Sequence, residues 1–302
     1  MKILLLGSRG FIGSRLVYFF LAKGYDVFGC DLQEYHSNEY IYQKVSILST
    51  DFETLFTDQQ FDACINTSGS GNVPLSISLP FSDFEANSYS VAKVLNTLRK
   101  FQPSCKYIQI SSAAVYGNPE QLPISESALI NPISPYGYHK WISELICHEY
   151  QTLYQIPIVI VRPFSVYGEG LRKQLFWDIC SRLAVKDTIQ ISGTGLESRD
   201  FIHFHDLARL FDLIIHNSSF TGEIYNAATG LETSIRSVAN LIEQNYGQRQ
   251  ILFSGETRIG DPLNWRADIS KITKLGFKPV ISLKEGIAGY IKWFENEHKT
   301  EE

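Results

Sequence analysis

Ser112, Tyr136 and Lys140 are the residues of this sequence whose types and order most suggest chemistry. Tyr136 and Lys140 stand four positions apart at the head of a stretch, Tyr136 to Tyr154, that reads as a helix. At that spacing both side chains share one face and converge on one bound molecule. An ammonium beside a phenol lowers the phenol pKa toward a range useful for proton transfer, and a serine hydroxyl can hold the substrate oxygen while the proton moves. Ser112 follows the apolar run Tyr107 to Ile110, so it stands at the end of an expected strand. A tyrosine and lysine four apart are common by chance, so the surrounding elements have to support the reading.

A second group lies near the start. Gly7, Gly10 and Gly13 fall between the apolar run Lys2 to Leu6 and a helical pattern through Leu16, Phe19 and Phe20. A strand-to-helix turn with glycines in this spacing lets backbone amides, including those of Phe11 and Ile12, approach a pyrophosphate without a Cβ in the way. The helix amino end adds partial positive charge. The plainer reading is a tight turn and nothing more. Asp31 closes the second expected strand, Asp26 to Cys30, 18 positions after Gly13. That is near the spacing at which an acid binds adenosine ribose hydroxyls and repels a 2′-phosphate, which favours NAD over NADP. Leu32 and Gln33 bring no positive charge to change that preference.

These groups require a scaffold that delivers strand ends to one edge. Short apolar runs at Ala63 to Asn66, Tyr107 to Ile110 and Ile158 to Val161 alternate with helical stretches such as Phe84 to Phe101 and Tyr136 to Tyr154. The alternation predicts an α/β fold with a Rossmann-type, doubly wound parallel sheet. Past residue 165 the rhythm changes and glycine-rich loops appear at Gly168 to Gly170 and Gly193 to Gly195. Residues 1–165 are therefore expected to bind the cofactor and residues 166–302 mainly the substrate, as a smaller α/β portion, with segments near 200–230 returning to the first part. Ser282 with Glu285 forms a capping-box pattern before the stripe Leu283, Ile287, Ile291 and Phe294, which predicts a terminal amphipathic helix.

Composition narrows the function classes. With 302 residues and 44% apolar side chains the chain can bury one large core or two coupled ones. A net charge of −5 without a long basic run argues against a nucleic-acid partner. No stretch reaches the 18 apolar residues of a membrane span, and no targeting segment is read. Five scattered cysteines without a C-x-x-C pair disfavour disulfides and zinc and fit a cytoplasmic setting. His203 and His205, two apart before Asp206, do not supply the three or four ligands of a closed metal site, so no metal is expected. His139 points off the face that carries Tyr136 and Lys140.

Taken in order, the motifs resemble the extended short-chain dehydrogenase/reductase family, which includes NAD-dependent nucleotide-sugar epimerases, dehydratases and 4-keto reductases. The resemblance spans nearly the whole chain. It rests on the glycine loop, Asp31, Ser112 four residues before Tyr116, Tyr136 with Lys140, and Val161-Arg162-Pro163. It continues through Gly193-Thr194-Gly195, Arg199 to His203, Asn226, Gly260-Asp261-Pro262 and Leu275-Gly276-Phe277. The resemblance implies that Tyr136 is the acid/base, Lys140 binds the nicotinamide ribose and tunes the tyrosine, and Ser112 orients the reacting oxygen. It also implies cofactor contacts from Ser68, Asn87, Ser111 and Pro163, and from Ser46 and Ile47, where serine replaces the family's usual aspartate. On the substrate side it implies Arg199 and Arg258 against the diphosphate, with salt bridges as their alternative role. Asp261 is expected on a sugar or ribose hydroxyl, or as a turn cap. Ser165 takes the place of an asparagine common among sugar epimerases.

Dehydratases and decarboxylases of that family carry an acid immediately after the serine or threonine, where this chain has Ala113 and Ala114. The expected activity is therefore NAD-dependent epimerisation of a nucleotide-diphosphate sugar, at C4 through a transient 4-keto sugar. The alternatives are reduction of a nucleotide 4-keto-6-deoxy sugar by the same residues, and a non-catalytic NAD-binding regulator. Apolar positions in excess of one core stripe on the two helices, among them Phe84, Val91, Leu95, Leu98, Trp141 and Leu145, resemble the four-helix interface of family dimers and imply a homodimer.

Overall fold

The first strand, β1 (Lys2–Leu6), shows why the sheet lies at the centre: Ile3 to Leu6 are all buried, with Ile3 and Leu5 in one core and Leu4 and Leu6 in another. A run without alternation is what a strand covered on both faces requires. In the computed structural model, which describes residues 1–256 and 262–299, β1 sits inside a seven-stranded sheet. The other strands are β2 (Asp26–Asp31), β3 (Ile41–Lys44), β4 (Ala63–Asn66), β5 (Lys106–Ile110), β6 (Ile158–Pro163) and β7 (Thr221–Ala227). The order is β7-β6-β5-β4-β1-β2-β3 and every pairing is parallel. This is the doubly wound sheet the alternation predicts. The short edge strand β3 was not foreseen, because its four residues are all partly or fully exposed and carry no buried run.

Helices α1 (Phe11–Ala22) and α4 (Phe204–Asn217) cover one face through Leu16, Phe20, Leu210 and Phe211. Helices α2 (Ser90–Phe101) and α3 (Pro135–Tyr154) cover the other through Val94, Leu95, Leu98 and Cys147. Winding reverses between β1 and β4, so the connections leaving their carboxyl ends part and open a crevice there, the usual ligand position in such sheets. The helical stretch expected from Phe84 to Phe101 divides into an α-helix at Pro80–Phe84, a π-helical turn at Glu85–Tyr89 and α2.

Beyond β6 the chain forms two-stranded pairs, Ser165–Tyr167 with Phe201–His203 and Thr188–Ile191 with Gln250–Phe253. Helices Gln174–Leu183, Ile235–Tyr246 and α5 (Leu283–Lys299) enclose a third core containing Phe176, Val238, Ile287, Tyr290 and Phe294. The capping box forms as expected: the Ser282 amide donates to Glu285 Oε2 at 3.1 Å and the Glu285 amide to Ser282 Oγ at 3.3 Å. β7 lies late in the chain yet pairs with β6 in the central sheet.

Candidate active site

The glycine loop follows β1 directly. Gly7 has φ +77°, and a Cβ there would stand 2.7 Å from the Ser68 amide nitrogen after β4. A Cβ on Gly13 would stand 2.1 Å from the Gly7 carbonyl oxygen. Only glycine permits this closeness between the turn, α1 and the β4 loop. Gly10 caps α1 without a side-chain hydrogen bond, and the first turn carries no acid, so the amides there are open to an anion. At the tip of β2, Asp31 Oδ2 accepts the Arg9 amide at 2.9 Å and Oδ1 accepts the Leu32 amide at 2.7 Å. The carboxylate is thereby fixed beside the glycine loop. The Arg9 guanidinium, within the glycine loop, lies 3.7 Å over the Tyr35 ring. A cradle that excludes Cβ atoms, an uncapped helix amino end and a fixed acid fit a dinucleotide, whose pyrophosphate would rest on the Gly7 to Gly13 amides and whose adenosine ribose Asp31 would hold.

The reactive group stands just beyond the end of β5 and at the head of α3. Ser112, just beyond β5, accepts the Ala114 amide at 3.1 Å and starts a short 3-10 turn. Ser134 caps α3 by accepting the Gly137 amide at 3.2 Å, and Pro135 opens the helix where its missing N–H costs nothing. Tyr136 and Lys140 then sit one turn apart, with the Lys140 ammonium 5.9 Å from the Tyr136 ring centre and donating to the Ile110 carbonyl at 3.1 Å. Burial pulls Lys140 down to about 8, against the opposing charges of Asp83, Glu144 and Cys147. Burial raises the Tyr136 phenol, a hydrogen bond with Ser112 lowers it, and Asp83 raises it further. The three residues expected to react are brought together.

Behind them runs a buried polar chain that sequence reasoning missed. Glu144, one turn after Lys140, accepts the Ser111 hydroxyl and a bidentate contact from Arg162 at 2.9 and 2.6 Å. Arg162 Nη1 donates to the Tyr116 hydroxyl at 2.7 Å, and that hydroxyl donates to Asn226 Oδ1 at 2.7 Å. Burial alone would lower the Arg162 pKa, but its contacts with Glu144 and Tyr116 outweigh this and raise it. Glutamate at i+4 from the lysine was the one local signal available. The network turns the Ser111 hydroxyl into the core, and the Ser111 amide donates to the Val161 carbonyl at 2.8 Å.

The other expected contacts divide. Asn87 lies on the π-helical turn and holds Ser70, its Oδ1 accepting the Ser70 amide at 3.3 Å and its Nδ2 donating to the Ser70 carbonyl at 3.1 Å. Ser68 donates its hydroxyl to Asn66 Oδ1 at 2.5 Å, and Pro163 ends β6 opposite Ala227. Ser46 Oγ accepts the Leu48 amide, and Ile47 packs into the core that holds Leu4 and Leu6. Phe11 and Ile12 direct their side chains into cores, Phe11 toward Phe204, so only their amides face the phosphate turn. Ser165 is partly exposed beside the crevice and its amide binds the Asp200 carbonyl. Arg199 donates to the Ser198 and Leu263 carbonyls and lies 5.7 Å over Trp265. Arg258 and Asp261 lie outside the described residues. His203 faces Glu169 at 3.2 Å and accepts the His205 amide, so it secures the start of α4.

The family model described as NAD dependent epimerase/dehydratase family matches residues 3–228. A putative UDP-glucose 4-epimerase of Methanocaldococcus jannaschii is 31% identical over 99% of this chain and 100% of its own length. The UDP-glucose 4-epimerase of Mycolicibacterium smegmatis is 28% identical over 98% of this chain and 99% of its own. A UDP-glucuronic acid 4-epimerase from Bacillus cereus, solved with UDP-glucuronic acid and NAD, superposes with a TM-score of 0.90 at 27% identity, covering 98% of this chain and all of that one. The fold and the site define a nicotinamide-dinucleotide enzyme of the short-chain dehydrogenase class. The chain belongs to the NAD-dependent epimerase/dehydratase family.

Proposed function

We propose that this protein is a nucleotide-sugar epimerase that inverts C4 of a nucleotide-diphosphate sugar through a transient 4-keto sugar. The observation that carries the reading is the convergence of Ser112, Tyr136 and Lys140 at the crevice, with the small Ala113 and Ala114 where an elimination would need an acid. Bound NAD supplies a reversible hydride acceptor. Tyr136 exchanges the proton of the C4 oxygen, first as base and then as acid. Ser112 holds that oxygen by hydrogen bond, and the Lys140 charge favours the phenolate. Asp31 favours NAD, which a cycle with no net redox change can retain, whereas keto-sugar reduction would need reduced cofactor in every turnover. On this reading Ser165 and residues 166–302, with Arg199, Arg258 and Asp261 as the expected contacts, supply most of the substrate side.

Incubating the protein and NAD with UDP-glucose, UDP-glucuronic acid and UDP-N-acetylglucosamine, and following sugar stereochemistry by NMR, tests the reading. C4 epimers should form with no net change in NADH absorbance. Consumption of NADH or NADPH with a 4-keto sugar, and no epimer from any of the three, would overturn it in favour of the reductase.

A pH dependence follows from Lys140. The cation is the form that assists Tyr136, and burial sets its loss near pH 8, so kcat/KM should fall as pH rises through about 8. A basic limb first appearing near pH 10 would show that Lys140 is not the group controlling activity.

Of the apolar positions expected beyond the core stripe, Val91, Leu95 and Leu98 are buried in the core against the sheet, Phe84 and Trp141 are half-buried and Leu145 is exposed. The outer faces of α2, α3 and the turn before α2 instead expose Tyr89, Phe101, Leu145, Leu153 and Tyr154. We assign this apolar surface to a homodimer, and the five buried, unpaired cysteines support a cytoplasmic setting. Sedimentation should give twice the chain mass, and Leu145→Arg with Leu153→Glu should convert it to a monomer. A monomeric wild type at micromolar concentration would refute the dimer.

A further inference from the structure

One buried hydrogen-bonded pair beside the reactive group has no place in the chemistry described so far. Asp83, at the end of the helix Pro80–Phe84, and His139, on α3 between Tyr136 and Lys140, meet at 2.6 Å between His139 Nδ1 and Asp83 Oδ2. Asp83 is 5% exposed. Its second oxygen accepts the Asn87 Nδ2 group at 3.0 Å, and Asn87 grips Ser70 on the loop after β4 through two further hydrogen bonds. A Cβ at Gly69 would lie 2.5 Å from Asn87 Oδ1, so the loop is seated tightly on this amide. The Ser88 hydroxyl donates to the His139 carbonyl at 2.8 Å, and Phe84 meets the His139 ring edge-on at 5.6 Å. One carboxylate thus joins the helix that carries Tyr136 and Lys140 to the crevice loop next to the glycine turn, across the π-helical turn that presents Asn87. Such turns occur often at functional sites.

We infer that Asp83 and His139 are positioning residues for this reaction: their pair clamps α3 to the Ser68–Ser70 loop through Asn87 and holds Tyr136 and Lys140 in register with what binds between them. The inference rests on the proposed role of Tyr136 and Lys140. Neither Asp83 nor His139 needs to touch substrate. The Asp83 charge has a second effect. The groups facing Lys140 are Asp83, Glu144, Cys147 and the Tyr136 ring, and Asp83 heads those that oppose the loss of its proton on burial. Asp83 acts on the Tyr136 phenol in the same direction, against the Ser112 hydrogen bond. Removing the anion should therefore move both titrations to lower pH.

Asp83→Asn, His139→Ala, His139→Gln and Tyr136→Phe, each in the full chain with NAD, form the test. UDP-glucose and UDP-glucuronic acid serve as probes, alongside melting temperature, NAD affinity and the pH titration of tyrosinate absorbance relative to Tyr136→Phe. Asp83→Asn should lose roughly ten- to hundredfold in kcat with KM little changed, as displaced reactive groups do. Its basic limb and the Tyr136 titration should both move to lower pH. His139→Ala should lose kcat similarly, and His139→Gln, which keeps a hydrogen-bond donor toward Asp83, should recover most of it. Wild-type kcat and an unmoved Tyr136 titration in Asp83→Asn would overturn the inference. If that variant does not fold, wild-type kcat in His139→Ala would overturn it equally. An active Tyr136→Phe would sink the functional reading itself, whereas an inactive Tyr136→Phe beside a normal Asp83→Asn would sink this inference alone.

Discussion

Tyr136→Phe should lower turnover by about a thousandfold while NAD still binds and the melting temperature stays within a few degrees. Removing a positioned general acid–base group typically costs two to four powers of ten. Ser112 acts on the Tyr136 phenol in the direction that favours its ionised form, and the phenol shares a helix face with Lys140. The ring itself packs unchanged as phenylalanine, and the glycine cradle and Asp31 lie on other elements, so cofactor affinity has no reason to fall. Turnover assays beside calorimetric NAD titration check both halves. A variant that keeps turnover would mean another group moves the proton, and one that loses NAD would mean the hydroxyl is a binding contact.

The second large effect concerns stability. Glu144→Ala leaves Arg162 buried with a full charge and only the Tyr116 hydroxyl and the Glu126 carbonyl as partners. Breaking a buried pair by removing one member costs about 3–5 kcal/mol, because the remaining charge keeps its desolvation penalty and loses its compensation. For a chain of this size that corresponds to a fall on the order of 10 °C in melting temperature. The Ser111 hydroxyl loses its acceptor at the same time, so the backbone leading to Ser112 should loosen and kcat should fall in the protein that remains folded. Scanning calorimetry and a kcat measured well below the melting transition separate the two effects. Replacing both Glu144 and Arg162 with apolar residues should restore much of the stability but not the hold on Ser111. A Glu144→Ala protein as stable as wild type would show that water reaches Arg162.

The local features were legible from residue order. The unbroken apolar run of β1, the glycine spacing, the pairing of Ser282 with Glu285, and Tyr136 with Lys140 four apart each depend on backbone periodicity within a few residues. Such patterns hold wherever the chain ends up, so the parallel sheet, the phosphate turn and the reactive pair could be read before any contact was known. Strand β3 escaped because a short edge strand with no fully buried residue leaves no such pattern.

Tertiary structure decided what each long-range polar group does. Asp83 finds His139 from 56 positions away, Tyr116 finds Asn226 from 110, and Arg9 settles over Tyr35 rather than on its neighbours in the loop. It also turned the Ser111 hydroxyl inward to Glu144 and set Arg199 against backbone carbonyls. A buried charge or amide must find a partner when water is withdrawn, and which partner is in reach depends on how helices seat on the sheet. Residue order determines the hydrophobic and glycine pattern that builds the site's frame. The pairing of its buried polar groups is settled only when that frame closes and removes their solvent.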